Sequence, residues 1–111
     1  MTDRAQRLAE NEAAFRDVNE SLRYVADQGT TTVPTMRLVC ECGDGNCSEF
    51  VDVTLAEYEG VRAVATHFLV RLGHVAPDIE RVVLENDRFA VVEKRPGEPA
   101  EIAKETDPRG G

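Results

Sequence analysis

Side chains along the first 27 residues recur at the spacing of a helix that packs through one stripe. No glycine or proline lies between Asp3 and Asp27. The stripe positions are alternately three and four residues apart, which is the heptad spacing of a helix. We call this stripe the helix seam, and it comprises Leu8, Asn11, Phe15, Val18, Leu22 and Val25. The pattern predicts a helix over residues 1–28.

Two interpretations of the helix seam are open. It can pair with a second copy of the chain or with a helix of another protein, and Asn11 is then the polar position that fixes the register. Alternatively, it lies on the protein's own sheet, because three heptads are too few to establish a coiled coil. Glu12 and Arg16 are expected on the exposed side as an i,i+4 ion pair.

Residues 29–35 are predicted to be a linker. Gly29 opens the segment and Pro34 lies near its end. Glycine ends a helix readily, and the residue before a proline is biased away from helical conformation. The linker would separate the helix from an α+β domain over residues 36–95.

Apolar and polar residues then alternate with the period of a strand. Residues 36–40 and 50–55 show this pattern, so they are predicted to form a hairpin. Thr54 and Glu57 have the spacing of a capping box, which predicts a helix directly after the second strand. Further strands are predicted at Phe68–Leu72, Ile79–Glu85 and Arg88–Lys94, the last two joined by a turn at Asn86-Asp87. The valine pairs in those two strands indicate that both faces of their hairpin are at least partly covered.

The fold class predicted from these elements is α+β. It has a long N-terminal helix, a small antiparallel sheet and one short helix. Residues 96–111 carry Pro, Gly, Glu and Lys and almost no apolar side chains, so a disordered tail is expected there. A strand or helix around Ala100 to Glu105 that binds a partner is the alternative.

Composition and charge narrow the class of function. The 111 residues include no tryptophan and only 5% aromatics, so the core is small and would benefit from a metal. The formal net charge of −8 argues against nucleic-acid binding, which needs a basic face. No apolar run approaches the roughly 20 residues of a membrane span, and the charged start lacks the apolar core of a signal peptide. We therefore expect a cytoplasmic protein with reduced thiols.

All three cysteines lie within eight positions, at the turn of the first hairpin. They are Cys40, Cys42 and Cys47, separated by a glycine-rich loop that can fold the third cysteine back toward the other two. Thiolates clustered at neutral pH need a cation, and Zn2+ accepts a tetrahedral set of sulfur and nitrogen ligands. The spacing predicts a zinc site.

A tetrahedral site needs a fourth ligand, and the sequence offers two histidines. His74 follows a short predicted strand, where a loop can bring its ring to the hairpin, so it is the preferred ligand. His67 is expected at the end of a helix, where a cation is favourable. If neither histidine binds, Asp44 or a water molecule could complete the site, and a bound water would make it an open Lewis-acid centre.

Other chemistries remain open at the cysteines. Cys40 could be a buried strand residue, with Cys42 and Cys47 near it only by chance. Alternatively, Cys42 and Cys47 could form a disulfide. Cys40-Glu-Cys42 resembles the start of the motif of CDGSH-type iron–sulfur proteins, which use three cysteines and one histidine. That resemblance implies a [2Fe-2S] cluster, although in those proteins the third cysteine lies farther on and the histidine follows it closely.

Catalytic patterns are sparse in this sequence. Glu41, Asp44 and Glu49 surround the cysteines and could act as a general base beside a metal-bound water. The sequence has no phosphate-binding glycine loop, no H-E-x-x-H and no nucleophile elbow. The leading hypothesis is a non-enzymatic, zinc-stabilised interaction or regulatory module. The alternative is a thiol-based redox sensor or a metal-dependent enzyme in which the three cysteines form an exposed site.

Six short segments carry one further resemblance. They are Glu10-Asn-Glu, Phe15-Arg-Asp-Val-Asn-Glu, Val39-Cys-Glu-Cys-Gly, Leu55-Ala-Glu-Tyr-Glu, Gly73-His74 and Glu105-Thr-Asp-Pro-Arg. Together they resemble small cysteine-cluster proteins of high-GC actinobacteria, over most of the chain. No activity is established for that group, so the resemblance implies only a cytoplasmic bacterial protein.

Overall fold

The computed structural model describes residues 3–28 and 35–110 and has an α+β fold, as predicted. A long helix comes first, and two strands, a short helix, three more strands and a last helix follow. The elements are α1 (Asp3–Gln28), β1 (Met36–Val39), β2 (Phe50–Val53), α2 (Leu55–Arg62), β3 (His67–Val70), β4 (Glu80–Glu85), β5 (Ala90–Lys94) and α3 (Glu98–Glu105). The predicted linker lies outside the described residues except for Thr35. No helix in the described ranges is long and apolar enough to cross a membrane.

The strands form two antiparallel sheets instead of the single sheet expected. β1 and β2 make a two-stranded hairpin in which Leu38 lies opposite Val51. The second sheet has the order β3-β5-β4, so β4 is an outer strand. A β-bulge interrupts the pairing of β4 with β5 between Val82 and Leu84.

The core lies on both faces of the second sheet, because successive strand residues point to opposite sides. Leu69 and Val91 face the first hairpin and α2, in a cluster with Leu38, Val51, Val53, Tyr58, Val61 and Phe89. Phe68, Val70 and Val92 face the other way, in a cluster with Ala90, Ala103 and the cysteines Cys40 and Cys42. The cysteine loop is therefore part of the second core cluster.

The capping box at the start of α2 is present as predicted. The Thr54 hydroxyl accepts a hydrogen bond from the backbone N–H of Glu57 at 3.0 Å, and the Glu57 side chain accepts from the N–H of Thr54 at 2.8 Å. Both bonds satisfy N–H groups that would otherwise lack a partner at the start of the helix. The helix thus begins directly after the second strand, as predicted, although that strand ends at Val53 and not at residue 55.

The buried face of α1 differs from the prediction. It consists of Ala5, Ala9, Glu12, Ala13, Arg16 and Asn19, which are small or polar. Glu12 and Arg16 were expected to be exposed, but each has a buried partner elsewhere in the fold. Leu8, Asn11 and Phe15 of the helix seam are half-buried, whereas Val18, Leu22 and Val25 are exposed. The interpretation that the whole seam lies on the protein's own sheet is therefore wrong.

Two further corrections concern the C-terminal half. Residues 98–105 form α3, which packs against α1, so the expected disorder of the tail is wrong over this range. Burial of Ala100 and Ala103 and a proline in the first turn account for the helix. Val91 and Val92 are buried, so both faces of β5 are covered as predicted, whereas Val82 and Val83 of β4 are 41% and 39% exposed.

Candidate metal centre

Three segments bring four possible metal ligands together. Cys40 directly follows β1, Cys42 and Cys47 flank the loop that leads to β2, and His74 lies in the turn after β3. The backbone N–H of His74 donates to the carbonyl of Arg71 at 3.0 Å, which closes that turn. The ligand atoms of these four residues all lie within 4.8 Å of one another. His74, which the sequence predicted as the fourth ligand, is thus in the cluster.

Two distances within the cluster match those around a tetrahedral ion. Nδ1 of His74 lies 3.6 Å from Sγ of Cys40 and 3.7 Å from Sγ of Cys47. Zinc lies about 2.3 Å from a bound sulfur and about 2.0 Å from a bound nitrogen. With tetrahedral angles, the sulfur and nitrogen atoms are then about 3.5 Å apart. The donor set and its spacing therefore fit one metal ion.

Each cysteine sulfur also accepts a backbone hydrogen bond. The N–H of Arg71 donates to Cys40 at 3.3 Å. Bonds from the N–H groups of Asp44 and Glu49 favour the thiolate forms of Cys42 and Cys47, respectively. Donors of this kind orient metal-binding sulfurs and stabilise their negative charge.

The three thiols do not ionise alike. A hydrogen bond from Cys40 lowers the pKa of Cys42 to about 5. The same bond, followed by burial, raises the pKa of Cys40, and burial also raises the pKa of Cys47. The group thus favours the thiolate form of one cysteine, and a bound cation would favour that form in all three.

The cysteine loop lies directly against α1. Gly43 adopts a left-handed backbone conformation with φ of +81°, and a β-carbon there would be 2.7 Å from the carbonyl oxygen of Leu8 and 2.9 Å from Cγ of Glu12. The side chain of Asn11 donates to the Gly43 carbonyl at 2.8 Å. Asn11 thus connects the helix to the candidate metal site.

Glu41, between two of the cysteines, is fully buried and paired with Arg62. The two side chains form a bidentate ion pair at 2.7 and 2.8 Å. The carboxylate also accepts from Asn19 at 2.7 Å and from the backbone N–H of Leu69 at 3.0 Å. These bonds occupy both oxygens, so Glu41 is a structural residue and does not fit the role of a general base.

A second buried ionic cluster links α1 to the second sheet. Nζ of Lys94 contacts carboxylate oxygens of both Glu12 and Glu80. Desolvation is the main reason that the pKa of Glu12 rises to about 9, and a nearby carboxylate, Glu80, adds to the rise. The guanidinium of Arg16 lies 4.8 Å from the ring centre of Phe68 and donates to the carbonyl of Ala103 at 2.9 Å. Sequence reasoning missed this polar interior because long charged side chains are usually exposed.

The remaining candidate residues take other positions. His67 begins β3, instead of ending a helix, and its Nε2 lies 3.1 Å from a carboxylate oxygen of Glu93. Asp44 accepts from the backbone N–H of Asn46 at 2.9 Å, and Glu49 lies 3.5 Å from Arg71. Neither acid belongs to the group of four close ligands.

A cleft of about 330 Å³ borders one side of the cluster. Cys42 and His74 form part of its wall together with Arg4, Leu8, Asp44, Val75, Ala76 and Pro77. Cys40 and Cys42 are buried, and Cys47 is half-buried. The ligands are therefore mostly enclosed, with limited access from this cleft.

Comparisons with models of protein families, with curated proteins and with solved structures found no match. The resemblance to actinobacterial cysteine-cluster proteins stays a prediction. The fold and the side-chain cluster define a small α+β protein with a candidate metal centre of three cysteines and one histidine.

Proposed function

We propose that this protein is a small zinc-stabilised module that binds another protein and has no catalytic activity. The observation that carries the proposal is the group formed by Cys40, Cys42, Cys47 and His74, with sulfur-to-nitrogen distances of 3.6 and 3.7 Å. Three thiolates and one imidazole are a common ligand set of structural zinc sites. Zinc would connect the first hairpin to the turn after β3.

Zinc suits the cluster better than a [2Fe-2S] centre does. In such a centre the ligands bind two irons, so ligand atoms on different irons lie farther apart than ligands around one ion. The four ligand atoms here are all within 4.8 Å of each other. This compact arrangement supports a single ion, and zinc is the metal that takes this ligand set without redox chemistry.

A structural role is favoured by the number of ligands and by their burial. Four protein ligands fill a tetrahedral site, whereas a catalytic zinc keeps one position for water or substrate. Cys40 and Cys42 are buried, and Glu41 is committed to Arg62. A redox sensor or metal-dependent enzyme is the second candidate, since the cleft beside Cys42 and His74 could admit a small molecule.

The partner would contact the exposed half of the helix seam. Val18, Leu22 and Val25 are exposed along one side of α1. They lie at i, i+4 and i+7, the spacing at which a partner helix finds anchors. Leu8, Asn11 and Phe15 are half-buried in this chain, so we place the contact in the C-terminal half of the helix.

Metal analysis of the purified protein tests the proposal, with two histidine variants as a matched pair. We expect one equivalent of zinc per chain and no visible absorbance. His74→Ala should lower zinc retention in the presence of a chelator, whereas His67→Ala should retain zinc as the wild type does, because His67 pairs with Glu93. Iron with visible absorbance bands contradicts the choice of zinc. Equal retention by both variants removes His74 from the site.

Titration of the thiols separates the structural role from the second candidate. An enclosed zinc site should react with a thiol reagent only slowly until a chelator removes the metal. Three thiols that react at once in the untreated protein, with no metal present, contradict the proposal. Fast reaction of one thiol with zinc still bound would favour the redox sensor.

A further inference from the structure

One peptide group of the cysteine loop bonds to α1 on one side and to a candidate metal ligand on the other. The Nδ2 of Asn11 donates to the carbonyl of Gly43 at 2.8 Å. The N–H of Asp44 belongs to the same peptide group and donates to the sulfur of Cys42. A trans peptide is planar, so its C=O and N–H point in opposite directions. Because Asn11 holds the carbonyl toward α1, the N–H is aimed at the sulfur.

This peptide group needs a contact that fixes its orientation. It follows Gly43, which has a φ of +81°. Glycine adopts positive and negative φ about equally well, so the loop can change its conformation here at little cost. A rotated peptide would place its carbonyl oxygen beside the Cys42 sulfur, where two negative groups repel each other. The bond from Asn11 favours the orientation that stabilises a thiolate.

The next residue of α1 reaches the histidine side of the site. Glu12 contacts Nζ of Lys94, and the same Nζ contacts Glu80. The Glu80 carboxylate accepts from the backbone N–H of Ala76 at 3.0 Å, two residues after His74. Two successive residues of one helix are therefore connected to the two halves of the candidate metal site.

The bond to the loop also accounts for the polar position in the helix seam. Asn11 is the one polar residue of that stripe, and a partner helix was one explanation for it. Asparagine favours a helix less than leucine does, so it gives the helix itself no advantage. Its amide is instead bonded within the chain, to the segment that carries two of the cysteines.

We propose that Asn11 is a positioning residue of the metal site, which holds the Gly43–Asp44 peptide so that Cys42 binds zinc as a thiolate. This inference rests on the proposed zinc-stabilised function. Zinc binding and docking of α1 then favour each other, because each requires the same conformation of the loop. The helix that carries the proposed partner surface would be held most firmly in the metal-bound chain.

Asn11→Leu is the deciding variant, because leucine removes the donor but suits both a helix and an apolar seam. Chelator competition should show a zinc dissociation constant raised by at least about tenfold, the low end for residues that orient metal ligands. Asn11→Ala needs no extra space and should give the same result. Gln6→Leu is the matched control, since it removes an exposed amide of α1 that bonds only to Glu10 among the described contacts, at 3.0 Å. It should leave the dissociation constant unchanged.

Cobalt in place of zinc gives a measurement that a loss of stability alone does not change. Cobalt bound to thiolates absorbs light by charge transfer from sulfur to the metal. An N–H bond to the sulfur stabilises the electrons that move, so its loss lowers the energy of this transition. The band of fully loaded Asn11→Leu should therefore lie at longer wavelength than that of the wild type. The spectrum of Gln6→Leu should match the wild type.

Hydrogen exchange measures the link to α1. Zinc should slow exchange of the α1 backbone amides in the wild type and in Gln6→Leu, because the bound metal fixes the loop against the helix. The same addition of zinc should protect α1 less in both Asn11 variants. Equal protection in all four proteins contradicts the link between zinc and the helix.

Three further results would overturn the proposal. A wild type that binds neither zinc nor cobalt removes the proposed function and this inference together. If the wild type binds zinc, but both Asn11 variants keep its dissociation constant and cobalt spectrum, then the role of Asn11 is wrong and the zinc site stands. If Gln6→Leu weakens zinc binding as much as Asn11→Leu does, the effect belongs to the helix in general. Circular dichroism on each variant confirms that the fold is retained.

Discussion

Replacement of Gly43 by alanine tests how closely the cysteine loop must approach α1. Two separate costs arise at this position. An L-residue in the left-handed region costs about 1 kcal/mol or more, and the φ of +81° lies in that region. The new β-carbon would also lie 2.7 Å from a backbone oxygen of Leu8, which a side-chain movement cannot relieve. Overpacking of this kind costs about 1–3 kcal/mol, so we expect Gly43→Ala to lower the unfolding free energy by about 3 kcal/mol.

Two other glycines separate these costs. Gly73 has a φ of +84° but no atom within 4 Å of a β-carbon, so Gly73→Ala should show only the conformational cost of about 1–2 kcal/mol. Gly60 lies in α2 with open space around it. Alanine favours a helix by about 0.8–1.0 kcal/mol over glycine, so Gly60→Ala should raise the unfolding free energy.

Urea unfolding at a fixed zinc concentration measures the three values. The expected order of stability is Gly60→Ala above the wild type, then Gly73→Ala, then Gly43→Ala. If Gly43→Ala is no less stable than Gly73→Ala, then the loop does not press against Leu8 and the described contact is refuted. Chelator competition on the same samples should show weaker zinc retention in Gly43→Ala, because the loop must move away from α1.

Three further perturbations test the polar interior. Arg62→Met leaves the Glu41 carboxylate buried without its ion pair and should cost about 3–5 kcal/mol, whereas Arg37→Met, at an exposed pair, should cost under about 1 kcal/mol in the same urea assay. The pKa of Glu12 in the folded state is about 9, above the usual 4.5, so the folded state keeps a proton that the unfolded state releases. The unfolding free energy should therefore fall as the pH rises from 5 to 9, by up to about 1.4 kcal/mol per pH unit. Glu12→Gln should remove this slope, and a variant whose slope equals that of the wild type contradicts the assignment. Truncation after Gly97 should lower the melting temperature measurably, whereas a disordered tail could be removed without effect.

Local patterns predicted the parts of the fold that depend on neighbouring residues. The hairpin follows from strict alternation, and the start of α2 follows from the Thr54 and Glu57 capping box. The cysteine spacing and the turn at His74 were enough to predict that these four side chains lie close together. Each of these features depends on side chains a few residues apart in the sequence, or on two loops that lie next to each other in the fold.

The packing of α1 could not be predicted in this way. Its most hydrophobic stripe was expected to be the buried one if the helix lay on the sheet, but Val18, Leu22 and Val25 are exposed. The face that is buried contains Glu12 and Arg16, whose partners lie far along the chain. A single sequence does not show which distant charges will meet, so such residues are assigned to the surface by default. The same reason explains why α3, which receives bonds from Arg16, was expected to be disordered.

The polar face of α1 gives the candidate metal site a specific physical role. Alanines and paired charges bury little apolar area, so the helix depends on directional contacts with the rest of the fold. Each hydrogen bond contributes only about 0.5–1.5 kcal/mol net, and each requires its partner to be held in place. Asn11 bonds to Gly43 inside the cysteine loop, and Asn19 bonds to Val39 just before it. An ion bound by the cysteines would fix this loop, so loss of metal should loosen α1 as well as the hairpin.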